Sequence, residues 1–274
     1  MGLRVNTNIA SLNAQRNLAG VSVRLGGNFA RLSSGLRIAS ASDDAAGLGI
    51  SERMRAQIRS FSVAGRNAQD GLSLVQTAEG ALQEVNNNLA RMRELAVQAA
   101  NGTLTAADRT TLDTEFQLLD TEIDRIATQT SFNGLKLLDA STATIAIQVG
   151  VNAGETISLA MIDSRSATLA IGALGLTTAA LASAAITALD TAITTVSSGR
   201  GTLGAGQNRL ASTIASIANA HENLAAAESR IRDVDVAAET ADLTRNSIMQ
   251  QAAVSVLAQA NTQPQLALSL LGNR

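Results

Sequence analysis

Apolar residues recur at alternating steps of three and four along most of this chain, the spacing of one helix face. From Ile50 the seam runs through Met54, Gln57, Phe61, Ala64, Ala68, Gly71, Val75, Ala78, Leu82, Val85, Leu89, Met92 and Ala96 to Ala99, with Gln57 and Gly71 its poor members. A helix of that length spans roughly 75 Å at about 1.5 Å per residue. Globular helices average about 11–12 residues, so the predicted element is a rod. Asn101-Gly102 predicts its stop, and Thr105 with Asp108 a restart by a capping-box variant. The seam Leu112, Phe116, Leu119, Ile123, Ile126 then predicts a shorter helix folding back. Asn133-Gly134 marks a turn. Beyond it the period drops to two through Ile145, Ile147, Val149 and Val151, then Ile157, Leu159 and Met161. With Asn152-Ala153-Gly154-Glu155 as the loop, this predicts one β-hairpin at about 144–162, the only convincing β-structure. A third long seam follows from Ala182 through Ile186, Leu189, Ile193, Val196, Leu203, Leu210, Ile214, Ile217, His221 and Leu224 to Ile231. The fold class is therefore mainly α, a long antiparallel coiled-coil bundle with a small hairpin.

The two ends differ from this middle. Residues 3–36 carry a stripe of Val5, Ile9, Leu12, Leu18, Leu25, Phe29, Leu32 and Leu36. From Leu243 onward, Ile248, Met249, Val254, Val256, Leu257, Leu266, Leu268, Leu270 and Leu271 fall on several helix faces. A helix apolar around most of its circumference must be buried around most of it, and a lone rod has nowhere to bury two such tails. Other copies of the chain are expected to cover them, through Val5, Ile9, Leu12, Leu25, Phe29 and Leu32 at one end and Val254, Leu257, Leu268 and Leu271 at the other.

Composition narrows the chemistry. The 274 residues include no Cys, one His and one Pro, and only four Phe without Trp or Tyr supply aromatic mass. Disulfides, thiolate nucleophiles, Cys-ligated metals and His clusters are excluded. Lys plus Arg number 21 against 23 acids, so the chain has no basic footprint for nucleic acid. The start shows no apolar core or cleavage site of a secretory signal peptide, which leaves an export route that reads the mature N-terminus. Ser166–Leu189 is uncharged but diluted by Gly, Ser and Thr, and Asn246–Asn273 carries too many amides for lipid; no membrane insertion is expected.

Several motifs tempt and fail. Gly199-Arg200-Gly201-Thr202-Leu203-Gly204 fits a dinucleotide loop, yet Val196, Leu203 and Leu210 keep helical phase across it, so no cofactor is expected. His221-Glu222 begins a zinc-protease motif whose fifth position is Ala225, and no second His exists. Asp43-Asp44 reads as a helix start, and Asp120, Glu122 and Asp124 as a charged face. Lys136 lacks the Gly-rich run of a P-loop, and Asn101-Gly102-Thr103 is a glycosylation sequon that the turn already explains.

The chain closely resembles bacterial flagellins. The residues that carry the resemblance are Asn6-Thr7-Asn8, Leu32-Ser33-Ser34-Gly35-Leu36-Arg37-Ile38, Asp43-Asp44-Ala45-Ala46-Gly47, Arg93-Glu94-Leu95-Ala96-Val97-Gln98 and Phe132-Asn133-Gly134. In the second half they are Asn208-Arg209-Leu210, Ala227-Glu228-Ser229-Arg230-Ile231-Arg232-Asp233, Val256-Leu257-Ala258-Gln259-Ala260-Asn261 and Leu268-Ser269-Leu270-Leu271. Together they cover nearly all the chain except roughly residues 140–205.

The resemblance implies a structural, non-enzymatic subunit of an extracellular filament, a minimal type without outer variable domains. It implies an inner coiled-coil layer from residues 1–44 with 235–274, N- and C-terminal helices pairing, and an outer helical layer from 45–234. It implies export of the unfolded chain, growth at the filament tip, and as partners other copies of the chain, an export chaperone, cap and hook-junction proteins. Arg91, Leu95 and Glu115 match the family's contact positions for Toll-like receptor 5 (TLR5), and they equally suit packing of the outer layer. Ala90 stands where stimulatory members often have Gln. A hook–filament junction protein is the alternative that shares the terminal coiled coil.

Overall fold

A computed structural model describes the backbone of residues 7–271 and the side chains of residues 7–263. Among them the element order is α1 (Ile9–Ser34), α2 (Ala45–Ala99), α3 (Ala106–Gln129), β1 (Ser131–Phe132), β2 (Leu135–Lys136), β3 (Thr144–Gln148), β4 (Thr156–Ala160), α4 (Ala179–Arg232) and α5 (Val236–Leu271). The chain falls into two compact units, Met1–Ala56 with Asn223–Arg274, and Gln57–Glu222. The cuts lie within α2 and α4.

The unit Gln57–Glu222 is an antiparallel bundle of α3 with the adjoining stretches of α2 and α4. Its α2 seam is buried from Ala64 to Ala99 as the spacing requires, and Val75, Leu82, Val85, Leu89 and Met92 are fully buried. The first positions of that seam are less covered: Met54 and Phe61 are half-buried, and Gln57 and Ile50 exposed. Arg91 pairs with Glu115 across α2 and α3 at 2.9 Å. Arg93 and Glu79 of α2 reach Asp190 and Arg200 of α4 at 2.6 and 2.7 Å. The two pairs with α4 fix its antiparallel sense, and Arg91–Glu115 together with the Arg109 bond to the Ala99 carbonyl does so for α3. Small residues let the helices approach: Ala68, Ala78 and Ala96 of α2 and Ala182 and Ala185 of α4 are wholly buried.

Local signals set the helix ends. Thr105 and Asp108 form the expected capping box, with Thr105 N donating to the Asp108 carboxylate at 2.9 Å. Arg109, one residue further, donates from Nε to the carbonyl of Ala99 and from Nη2 to that of Asn101, both at 2.8 Å, satisfying carbonyls at the end of α2. Asp44 Oδ1 accepts from Gly47 N at 2.9 Å and caps α2.

β3 and β4 form the expected hairpin, with Ile145 opposite Leu159 and Ile147 opposite Ile157. A second pair was not expected. β1 and β2 form a two-residue ladder about Asn133 and Gly134, both with positive φ (49° and 80°). That turn suits a right-twisted hairpin, and the flanking strands are too short to show a period of two.

The β3–β4 hairpin lies on glycines. A Cβ at Gly71 would stand 3.1 Å from Ile147 Cγ1, one at Gly199 2.6 Å from Ile162 Cδ1, and one at Gly206 2.9 Å from Leu159 Cδ2. Gly71 is thus a seat, which corrects its reading as a weak seam residue. Gly201 and Gly204 have open space around the same point, in helical backbone where Ala is favoured by about 1 kcal/mol. Converting both to Ala is expected to raise thermal stability by several degrees, and Gly199→Ala or Gly206→Ala to fall short of that gain. Thermal unfolding of the three variants checks it.

Residues 163–178 form an ordered non-helical strap held by α3. Asp124 accepts from Ser166 N and Oγ at 2.7 and 2.9 Å, and Asp113 from Leu176 N at 2.6 Å, while Gln117 donates to the carbonyl of Leu174 at 2.8 Å. Its own Ile171 and Leu176 are fully buried. α4 is long and apolar enough to cross a membrane by length and composition alone. Ser166–Leu189 is not one helix, since α4 starts at Ala179, and α4 carries the ion-paired Asp190 and Arg200.

Candidate functional site

The terminal helices make the most distinctive surface. Asn8 caps α1 by accepting from Ser11 N at 3.1 Å, and its amide donates to the carbonyl of Ala260 on α5 at 2.7 Å. Ser11 Oγ donates to Asn261 Oδ1 at 2.8 Å. Toward the other end Asn28 donates to Glu239 at 2.5 Å and accepts from Asn246 at 2.7 Å, and Arg31 lies 3.4 Å from Glu239. Early α1 meets late α5 and late α1 meets early α5, so the two helices run antiparallel. Gly35, at φ 71°, ends α1 in the left-handed cap. Its carbonyl accepts from Val234 N at 3.0 Å, while Arg37 N donates to the carbonyl of Arg232 at 2.7 Å.

The inward face of α1 is Ser11, Ala14, Leu18, Val21, Leu25, Asn28 and Leu32, each buried or half-buried. The expected assembly residues divide across it. Leu25 and Leu32 lie in the intrachain seam, as does half-buried Leu257 of α5. Ile9, Leu12 and Phe29 are 54%, 51% and 57% exposed, and Val254 52%. Val5 lies outside the described residues, and the side chains of Leu268 and Leu271 do as well. The terminal helices therefore cover each other on one face, the pairing that the resemblance implied, and leave the other faces bare. Sequence reading passed over Val23, 76% exposed, and the polar seam, because Ser11, Asn28, Glu239 and Asn246 break an apolar stripe rather than extend it.

The tempting motifs resolve locally. The glycine run of 199–204 lies inside α4, without the strand-to-helix turn a dinucleotide loop needs. His221 is half-buried at its seam position, and among the described residues no cluster of His, Cys, Asp or Glu could hold a metal ion. In the acidic triplet Glu122 pairs with Arg125 at 2.5 Å. Asp120 is not part of a charged face: it is 8% exposed and its Oδ1 has no hydrogen-bond partner. Burial, and then the neighbouring Asp124 charge, push its carboxyl above the ordinary range. A raised acid favours the folded state below its unfolded pKa, and that preference is lost as pH rises through the folded one. Asp120→Asn is therefore expected to stabilise the chain relative to wild type at neutral pH, the gain shrinking as pH falls toward about 4. Urea unfolding across that range checks it. Asp163 runs the opposite way: Arg165, bonded through Nε and Nη2, holds it down at about 2.

Comparison with known proteins places this architecture. The model of the bacterial flagellin N-terminal helical region matches residues 5–143, and that of the C-terminal helical region residues 186–271. The chain belongs to the bacterial flagellin family. Its function is the structural one of the family, subunit of the bacterial flagellar filament. A flagellin of Halalkalibacterium halodurans is 52% identical over 97% of this chain and 99% of its own length. The crystal structure of Bacillus cereus flagellin is 42% identical over 56% of this chain and 88% of that one, with a TM-score of 0.51. A putative flagellar hook-associated protein from Vibrio parahaemolyticus covers 70% of this chain and all of its own at a TM-score of 0.60. At 15% identity it shares the fold alone.

Between the two flagellin regions lie the β3–β4 hairpin and the strap. Of the residues that the resemblance put forward for receptor contact or outer-layer packing, Arg91 is exposed and Glu115 half-buried, and the two are ion-paired, with Glu94 also 2.9 Å from Arg91. Leu95 is 1% exposed and belongs to the bundle core, one residue from the seam at Ala96, a place that suits packing and leaves it no free surface.

Proposed function

We propose that this chain polymerises with copies of itself through the outward faces of α1 and α5, which form the inner layer of the filament within residues 1–44 and 235–274. The observation that carries the reading is where apolar surface is left bare. Nine of the fifteen exposed large apolar side chains among the described residues lie on these two helices. Monomeric soluble proteins rarely keep such surface uncovered. The helices bury one face against each other and leave the opposite faces for neighbours, so ordering of the tails is coupled to assembly. Export of the unfolded chain before that step fits a sequence with no Cys to cross-link and one Pro to isomerise. No catalytic role is assigned to any residue.

The test is electron microscopy of the full chain concentrated in sulfate, which strengthens apolar burial, beside a chain lacking the segments 1–40 and 235–274. Long uniform filaments from the first and monomer from the second are expected. Monomer from both, or filaments from both, overturns the reading.

A further inference from the structure

The polar contacts between α1 and α5 raise a separate question. Apolar burial does not choose which face of α5 turns toward α1. The inward apolar residues of α5 are half-buried Leu243, Ala253 and Leu257 and buried Ala260, while Ile248, Met249, Val254 and Val256 on other faces are exposed. A rotation of α5 about its own axis that turned Ile248, Met249 and Val256 inward would also present an apolar face to α1. What distinguishes the observed face is polar: Asn8 and Ser11 bond to the Ala260 carbonyl and Asn261 at one end, and at the other, where both side chains are buried, Asn28 and Glu239 are 5% and 7% exposed and bonded to each other, with Asn246 completing the amide of Asn28. Rotated away, Glu239 and Asn246 would turn to solvent and leave the Asn28 amide in the seam without its partners, the costly case of a buried polar group left unsatisfied. The bonds between Gly35 and Val234 tether the helix ends but leave rotation about the axis free.

We propose that Asn28, with Glu239 and Asn246, is a pin that selects the inward face of α5 and so decides which apolar residues are presented to neighbouring copies. A buried polar residue in a coiled-coil seam sets register and partner face at a cost in stability. The proposal rests on the assembly reading above and adds to it the residue that sets the specificity of the surface.

The chain has no Cys, so introduced pairs report geometry without interference. Leu18→Cys with Ala253→Cys joins two inward positions that the register of the named bonds sets opposite each other. Leu18→Cys with Ser255→Cys samples a position about 200° further round α5. Each pair is placed in full-length chain, in chain carrying Asn28→Leu, and in chain carrying Glu239→Gln, which keeps a side-chain acceptor for the Asn28 amide. Each is assembled as a minority with wild-type subunits, and intrachain disulfide is measured by mass spectrometry after the filaments are dissociated. Filament formation by the wild-type pairs reports on the assembly reading; the ratio of the two cross-links reports on the pin. The inward pair is expected to exceed the rotated pair at least tenfold in wild type and Glu239→Gln, and the ratio to fall toward one in Asn28→Leu. Exclusion of Asn28→Leu from filaments that admit Glu239→Gln would show the same loss at the step of entry. An unchanged ratio in Asn28→Leu, or exclusion of both variants, overturns the proposal.

Discussion

Phe116→Ala is expected to destabilise the Gln57–Glu222 unit by about 3–5 kcal/mol, and to lower its melting temperature by roughly ten degrees or more. Of the four Phe in the chain, Phe116 alone is fully buried, in the cluster that holds Leu89, Met92, Ile123 and Leu176. The rest of that cluster is aliphatic and closely set on Ala-lined helices. Interiors are packed near crystal density, so neighbours held by long helices collapse poorly into the space a ring vacates. Leu118, two residues on and 65% exposed, supplies the control: Leu118→Ala is expected to change stability by no more than about 0.5 kcal/mol. Thermal and denaturant unfolding followed by circular dichroism separates the two. Equal shifts would mean that α3 packs by a different face.

That face was legible in the sequence, and the reason is physical. Leu112, Phe116, Leu119, Ile123 and Ile126 are apolar at helical spacing between polar residues, so only one face can be buried. The same holds for α2 beyond Ala64 and for the α4 seam. It fails where a contact is made by what a residue lacks. Gly71, Gly199 and Gly206 give no hydrophobic signal, yet they make room for Ile147, Ile162 and Leu159. Asp120 failed for a related reason: in sequence it stands beside Glu122 and Asp124 as one more charge, and only the fold shows that the strap 163–178 draws Asp124 into hydrogen bonds while Asp120 is enclosed. At the terminal helices the apolar residues were visible, but their division between inward and outward faces was not. α5 is apolar on several sides, so its own pattern names no preferred face; the choice is carried by Asn28, Glu239 and Asn246, which a search for apolar seams discards.

The outward faces yield the prediction with the largest effect on assembly. Phe29→Asp, and separately Val254→Asp, are expected to abolish filament formation at concentrations where wild type polymerises. Both side chains are more than half exposed and lie away from the α1–α5 seam, so each change is expected to alter the stability of the isolated chain by no more than about 0.5 kcal/mol. In a filament the same positions would be covered by a neighbour, and an unpaired carboxylate enclosed against apolar surface costs several kcal/mol. A loss of about 4 kcal/mol per contact is about a thousandfold in affinity. The critical concentration for polymerisation should rise by that order, with helicity and melting temperature of the monomer unchanged. Sedimentation of seeded assembly reactions against total protein measures it. A critical concentration within threefold of wild type for both variants would place the subunit contacts elsewhere, whereas loss of monomer helicity would show that Phe29 and Val254 support the fold of the chain itself. The contrast with Phe116 is the useful one: the buried ring is expected to change unfolding, the exposed ring association, though both are Phe on an amphipathic helix of the same chain.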